Sequence, residues 1–260
     1  MPTHLPAETA VTATIDGFGI RFLKRGVLFV AGPLYFLIIA FIPLLCGRRR
    51  GFRGWYWRKV KRACTRLLWL LSIRPIMSDA DRATLASDTN SIIVINHRSH
   101  LDGFALMDVM PDEKWITFAA KKELCDAPLL RRGFKGAGLV EINRKSGAVA
   151  LETLTSAVDE MPARSSVVLF PEGTRTKSEG LGPFKAGAVM VARKTGRTIR
   201  PIVIHASDRL LPPGKLLPKS GTIRIEVLPP FKCDPNVAVD DDVERLRASM
   251  LEAFDADPSR

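Results

Sequence analysis

The feature that most limits the fold is a run of four β-branched residues, Ile92-Ile93-Val94-Ile95, that stops at Asn96-His97-Arg98-Ser99-His100-Leu101-Asp102. Such a run reads as a buried strand, and the polar residues after it carry helix-starting chemistry. The arrangement recurs along the chain. Trp115 to Ala120 reads as a short strand. Gly133 to Arg144 has glycines for close turns and then a strand, Leu139 to Ile142, ending on Asn143-Arg144. Gly147 to Met161 reads as a helix, and Ser166 to Phe170 as a buried strand that terminates in Pro171-Glu172-Gly173-Thr174-Arg175. Phe184 to Thr195 is helical with Gly196 as its stop, while Thr198 to His205 and Thr222 to Val227 read as strands. This alternation indicates an α/β fold: layered, with a largely parallel sheet flanked by helices. In that architecture functional groups gather where strands end, which is where Asn96-His97, Asn143-Arg144 and Pro171 to Arg175 fall.

His97 and Asp102 are spaced so that the carboxylate folds back around the first helical turn and accepts a hydrogen bond from one imidazole nitrogen. The other nitrogen is then fixed as a base. This is the base-plus-orienter half of a catalytic triad without an obvious serine or cysteine beside it, so the nucleophile can belong to the substrate. Taken alone, the pair is also what a helix-capping, core-satisfying histidine and aspartate look like. The other strand ends add cations (Arg144, Arg175, with Lys122 and Arg98 nearby) and a turn, Glu172-Gly173-Thr174, that offers backbone N–H groups and a hydroxyl. Guanidinium forks suit phosphate. The shared placement asks for a substrate that carries a phosphate and a group that must lose a proton.

The twenty residues from Val27 to Cys46 contain no charge, the length of a helix that crosses a hydrocarbon core. Pro33 and Pro43 are compatible with a kinked span or with a hairpin that dips in and returns. Arg21, Lys24 and Arg25 precede the run; Arg48, Arg49, Arg50, Arg53, Arg58, Lys59, Lys61 and Arg62 follow it. That asymmetry holds the C-terminal flank on the cytoplasmic side of the inner or cytoplasmic membrane. Trp55 to Leu71 interleaves cations with aromatic and aliphatic residues, as an amphipathic helix at a lipid surface does; the other reading is a helix packed on the core with a solvated basic face. We therefore expect an N-terminal part over 1–72, with a loose tail, a membrane-engaging helix near 27–46 and a basic amphipathic segment, followed by an α/β domain over 73–260.

The formal charge of +12 favours nucleic acid, anionic lipid or phosphorylated small molecules. The basic cluster beside the apolar run argues for lipid and against nucleic acid. The four cysteines form no CxxC pair and the four histidines lack metal-ligand spacing, so no metal or cofactor is expected. His100 and His205 read as packing or helix-surface residues.

With these residues in place, the chain resembles the glycerolipid acyltransferases, the 1-acyl-glycerol-3-phosphate acyltransferases and their relatives. Asn96-His97-x4-Asp102 is similar to the first block of that family, and Gly138 to Arg144 to the second. Phe170-Pro171-Glu172-Gly173-Thr174-Arg175 is similar to the third, and Ile199 to Ile204, with Pro201, to the fourth. Lys122-Glu123-Leu124 and Phe184-Lys185-x-Gly187-Ala188 also stand where the family tends to have them. The resemblance implies acyl transfer from acyl-CoA or acyl carrier protein to the sn-2 hydroxyl of lysophosphatidate, with His97 as base held by Asp102. It implies that Arg144 and Arg175, with Lys122, bind the phosphate and that Glu172, Gly173 and Thr174 shape the acceptor site. Arg98 and His100 depart from the phosphatidate-forming branch, and an arginine after the histidine also occurs in the glycerol-phosphate branch. The rivals are the same chemistry on glycerol-3-phosphate, another lysophospholipid or a lyso-aminolipid, and a silent membrane protein that holds anionic lipid.

Overall fold

The computed structural model describes residues 52–89, 91–121, 140–142, 147–176, 179–215 and 217–257, with a few helical positions between 19 and 27. Most of the run from Val27 to Cys46, Lys122, and Asn143-Arg144 lie outside the described residues. Among the described residues no helix is long and apolar enough to cross a membrane.

In chain order the elements are α1 (Phe52–Leu70), β1 (Ile73–Met77), α2 (Asp79–Ser87), β2 (Ile92–Ile95), α3 (Leu101–Val109), β3 (Trp115–Lys121) and β4 (Val140–Ile142). They continue as α4 (Gly147–Asp159), β5 (Ser165–Leu169), α5 (Gly187–Thr195), β6 (Ile199–His205), α6 (Ser207–Leu210), β7 (Gly221–Val227) and α7 (Val239–Asp255). The seven strands form one sheet in the order β1-β7-β6-β2-β5-β3-β4. Among the pairings of the described strands only β6–β7 is antiparallel. Strands β2 to β6 therefore point the same way, and their C-terminal ends share one edge.

The run at 92–95 explains itself in this sheet. Ile93 and Ile95 face one core with Trp57, Leu68, Leu101 and Leu106, so α1 and α3 cover that face. Ile92 and Val94 face the other, with Leu154, Val189, Leu246 and Met250 of α4, α5 and α7. Alternate residues of a strand point to opposite faces, so a strand buried on both sides must be apolar at every position.

The helices expected around 147–161 and 184–195 are present, the second starting later. The Lys185 N–H is committed to the Pro171 carbonyl at 2.8 Å, which holds that stretch outside the helix. Four elements carried no sequence expectation: β1, α2, α6 and α7. The Ser78 hydroxyl caps α2 by accepting the Asp81 N–H at 3.0 Å. On α1 the buried face includes Trp57, Cys64 and Leu68, and the Trp57 indole N–H donates to the Ile116 carbonyl at 3.2 Å. Its other face exposes Trp55, Arg58, Arg62, Arg66 and Trp69. Lys24 lies over the Trp69 ring at 4.0 Å.

Candidate active site

The site begins where β2 stops pairing through its backbone. The Asn96 side chain replaces the next rung: its amide donates to the Ile204 carbonyl at 2.9 Å, and its oxygen accepts the Ile204 N–H at 2.8 Å. His97 is thereby released from the ladder at the strand edge. Its peptide is then gripped by the loop after β5, with the His97 N–H donating to Glu172 Oε1 at 2.8 Å and its carbonyl accepting from the Thr176 N–H at 2.9 Å.

The His97 Nδ1 lies 3.0 Å from Asp102 Oδ2. Asp102 is fully buried, and the same oxygen accepts the backbone N–H groups of Arg98 and Ser99 at 2.8 Å each. A carboxylate holding two amides cannot swing away. The contact assigns the proton to Nδ1 and leaves Nε2 as the basic nitrogen. The imidazole is 22% exposed and tilts against Phe170, with ring centroids 4.0 Å apart; Phe118 continues the aromatic row 6.2 Å beyond. Ser99 spends its hydroxyl on the Leu211 carbonyl at 2.9 Å. Among the described residues no serine or cysteine hydrogen-bonds this imidazole.

Glu172 points inward. Its Oε2 accepts the Gly182 N–H at 3.1 Å and the Thr176 hydroxyl, so both oxygens are committed to the local backbone and loop. Burial pushes this carboxyl above its ordinary value, and the His97 and Gly182 amides oppose the shift. Gly182 is required by closeness: a Cβ there would stand 2.6 Å from the Thr176 hydroxyl oxygen. Gly173 has φ +73, and a Cβ on it would meet the Lys185 ammonium at 2.9 Å. That ammonium therefore lies over the Glu172-Gly173-Thr174 turn. Thr174 is exposed and Arg175 half-buried.

His100 is exposed ahead of α3; partial burial lowers its pKa first, followed by the charges of Arg175 and His97. Arg175 and His97 are thus both near enough to His100 for their charges to act on it. Lys122 and Arg144 lie outside the described residues. Arg98 places its guanidinium in a part-buried ion pair with Asp208 at 2.6 Å. His205 is buried at the end of β6, its Nε2 3.3 Å from Glu226 and 3.1 Å from Arg224.

A model of the family described as Acyltransferase matches residues 78–205, from the cap of α2 to the end of β6. That stretch contains the whole His97, Asp102 and Glu172 arrangement. Over these residues the chain belongs to the acyltransferase family. It is 31% identical over 147 residues to a chloroplastic 1-acyl-sn-glycerol-3-phosphate acyltransferase of Brassica napus, covering 56% of this chain and 42% of that protein. Against the human 1-acyl-sn-glycerol-3-phosphate acyltransferase beta it is 29% identical over 204 residues, 75% of this chain and 69% of the relative. The chain thus spans about two fifths of the length of the Brassica napus and Arabidopsis thaliana relatives. The crystal structure of the 1-acyl-sn-glycerophosphate acyltransferase PlsC from Thermotoga maritima shares the fold, with a TM-score of 0.71 at 20% identity over 93% of this chain and 95% of that one.

Several residues of the site had no reading in the sequence. Phe170 had a signal, since it opens the third block, yet nothing in the string says that its ring lies against His97. Thr176 and Gly182 carry no pattern, and Asp208 is 110 residues from the arginine it pairs with.

Proposed function

We propose that the protein transfers a fatty acyl group from an acyl thioester to the sn-2 hydroxyl of lysophosphatidate, forming phosphatidate. The observation that carries this is the imidazole at the strand edge, oriented through Nδ1 by a fully buried carboxylate, with no protein nucleophile bonded to it among the described residues. His97 Nε2 takes the proton from the acceptor hydroxyl as that oxygen attacks the thioester carbonyl, and Asp102 stabilises the imidazolium that forms. When the tetrahedral intermediate collapses, the carbon–sulfur bond breaks and the imidazolium returns its proton to the departing thiolate. The ester is left on the glycerol oxygen, and His97 is neutral again.

Arg175, with Lys122 and Arg144, binds the acceptor phosphate in this reading, and the turn at Glu172-Gly173-Thr174 shapes the space beside it. Support comes from the influence of both Arg175 and His97 on His100 and from the match to the Acyltransferase family model. The acyl donor is acyl-CoA or acyl carrier protein, and no cofactor takes part. The catalytic domain works at the cytoplasmic face of the inner or cytoplasmic membrane. The uncharged run at 27–46, its basic flanks, and the exposed Trp55, Trp69 and arginines of α1 support this location.

The test is acyl transfer in mixed micelles from labelled acyl-CoA and, separately, acyl carrier protein. Labelled phosphatidate from lysophosphatidate is the expected product. Arg98 makes glycerol-3-phosphate the second acceptor to assay; product from that acceptor alone would overturn lysophosphatidate as substrate and leave the base chemistry standing.

A further inference from the structure

We propose that Arg98 is a positioning residue for the His97–Asp102 pair, locking the dyad's loop to the 179–182 segment and, through it, to the C-terminal helix. The proposal rests on the reading of His97 as the base. Arg98 is held at both ends. Its backbone N–H donates to Asp102 Oδ2 at 2.8 Å, and its side chain leaves in the opposite sense, with Nε on Asp208 Oδ2 at 2.6 Å and Nη1 on the Gly180 carbonyl. The guanidinium carbon also stands 5.4 Å over the Phe254 ring of α7. With the residue only 8% exposed and its charge paired to Asp208, the side chain is not placed to meet a substrate phosphate.

The contacts close into a ring. Arg98 holds Gly180, the N–H of Gly182 two residues on is held by Glu172, and Glu172 holds the His97 N–H. From the other side Arg247 of α7 donates to the Gly182 carbonyl at 3.0 Å and to the Leu181 carbonyl at 2.9 Å. Two arginines from distant parts of the chain thus grip one short segment. Asp208 and Phe254 also border a cavity of about 180 Å³. Phe254 is fixed by the core and by its stack on His205, whereas Asp208 is half-buried and is held by its ion pair with Arg98. A planar guanidinium reaches two diverging acceptors at once, which a single ammonium cannot. Fixing the side chain fixes the Arg98 peptide, hence the direction of the N–H that Asp102 accepts and the tilt of the imidazole beyond it. Displacements near 1 Å in such arrangements cost about 10²-fold in rate.

The experiment compares wild type, Arg98→Met, Arg98→Lys and Asp208→Asn at equal folded amount, checked by thermal melts, using the acceptor that wild type acylates. The expected result is a fall in kcat of about 10- to 100-fold in Arg98→Met, with KM for the acceptor nearly unchanged. Arg98→Lys recovers only part of the rate, and Asp208→Asn shows the same kcat-selective loss. A kcat within about twofold of wild type in folded Arg98→Met, or a loss confined to KM, would overturn the assignment. One readout needs no substrate, so it separates this proposal from the functional reading. The low-field NMR signal of the imidazole Nδ1 proton bonded to Asp102, identified by its absence in His97→Gln, is expected to broaden or vanish in Arg98→Met. An unchanged signal would count against Arg98. If Arg98→Met does not fold, Asp208→Asn carries both measurements.

Discussion

The two edges of the sheet each hold a buried carboxylate surrounded by donors, and they are built for different purposes. At the C-terminal edge Asp102 serves two backbone amides and an imidazole that keeps one nitrogen open and is 22% exposed. At the N-terminal edge Asp88 faces the Lys114 ammonium at 2.6 Å, the Ser91 hydroxyl at 2.5 Å and the Arg200 guanidinium at 3.3 Å. Lys114 is completely buried, and it also reaches the Asp88 carbonyl at 3.0 Å. These residues stand at the starts of β2, β3 and β6, and Ser91 touches Ser166 of β5 at 3.4 Å. The difference is that the upper cluster leaves a titratable member unsaturated at the surface, which the proposed base chemistry requires. The lower cluster saturates its carboxylate and pins four strands together.

This contrast is open to attack from the lower edge first. Asp88→Asn leaves Lys114 and Arg200 without their counter-charge, and the expected cost is about 3–5 kcal/mol of folding stability in urea titration. Turnover per folded molecule should stay near wild type. Loss of turnover with stability retained would collapse the division between the edges. Glu172→Gln is the complementary change at the upper edge. The amide can replace only one of the two accepting oxygens, so about 1–3 kcal/mol of stability is expected to go with an unpaired buried donor. Because the His97 peptide then shifts, kcat should fall by at least about 10-fold, a ratio of effects opposite to that of Asp88→Asn.

Acid titration sharpens the comparison further. Burial raises the Asp88 carboxyl, but Lys114, Ser91 and Arg200 outweigh it and hold the group below the ordinary 3.8. With the folded value depressed, the unfolded chain takes up the proton first as pH drops. The contribution of Asp88 is complete above about pH 3.8 and is lost as pH falls through the folded value. Glu172 has the opposite sign: its raised value means that its ionisation penalises the folded state once pH rises through that value. Stability measured stepwise from neutral to strongly acid pH should therefore fall less steeply at its acid end in Asp88→Asn than in wild type. The smallest effect expected is that of Ser91→Ala, about 1 kcal/mol from one lost hydrogen bond, with activity unchanged.

The sequence was most legible where chemistry and strand ends coincide. Ile92 to Ile95, the His97–Asp102 spacing and the turn at Pro171 to Arg175 are local patterns, and local patterns survive reading one residue at a time. The antiparallel step between β6 and β7 left no such trace, because strand direction depends on what the connection packs against. Lys114 carried no reading in the sequence; its partner is 26 residues away. Arg98 read as one more basic group at a cationic edge. The ion pair that turns it inward is made by Asp208, which no spacing rule connects to it. The basic segment at Trp55 to Leu71 supported two readings, and α1 has a face for each: one packed on the core, one exposed with tryptophans and arginines.

The central claim is that the open nitrogen of His97 carries the proton in acyl transfer, and the most direct test is the rate of His97→Ala beside wild type at equal folded amount. Both proteins are given the same thioester and the acceptor that wild type uses, and ester formation is followed. The account predicts a loss of about 10²–10⁴ in kcat with the thermal melt preserved. Ester formation within a few-fold of wild type by the folded variant would contradict it.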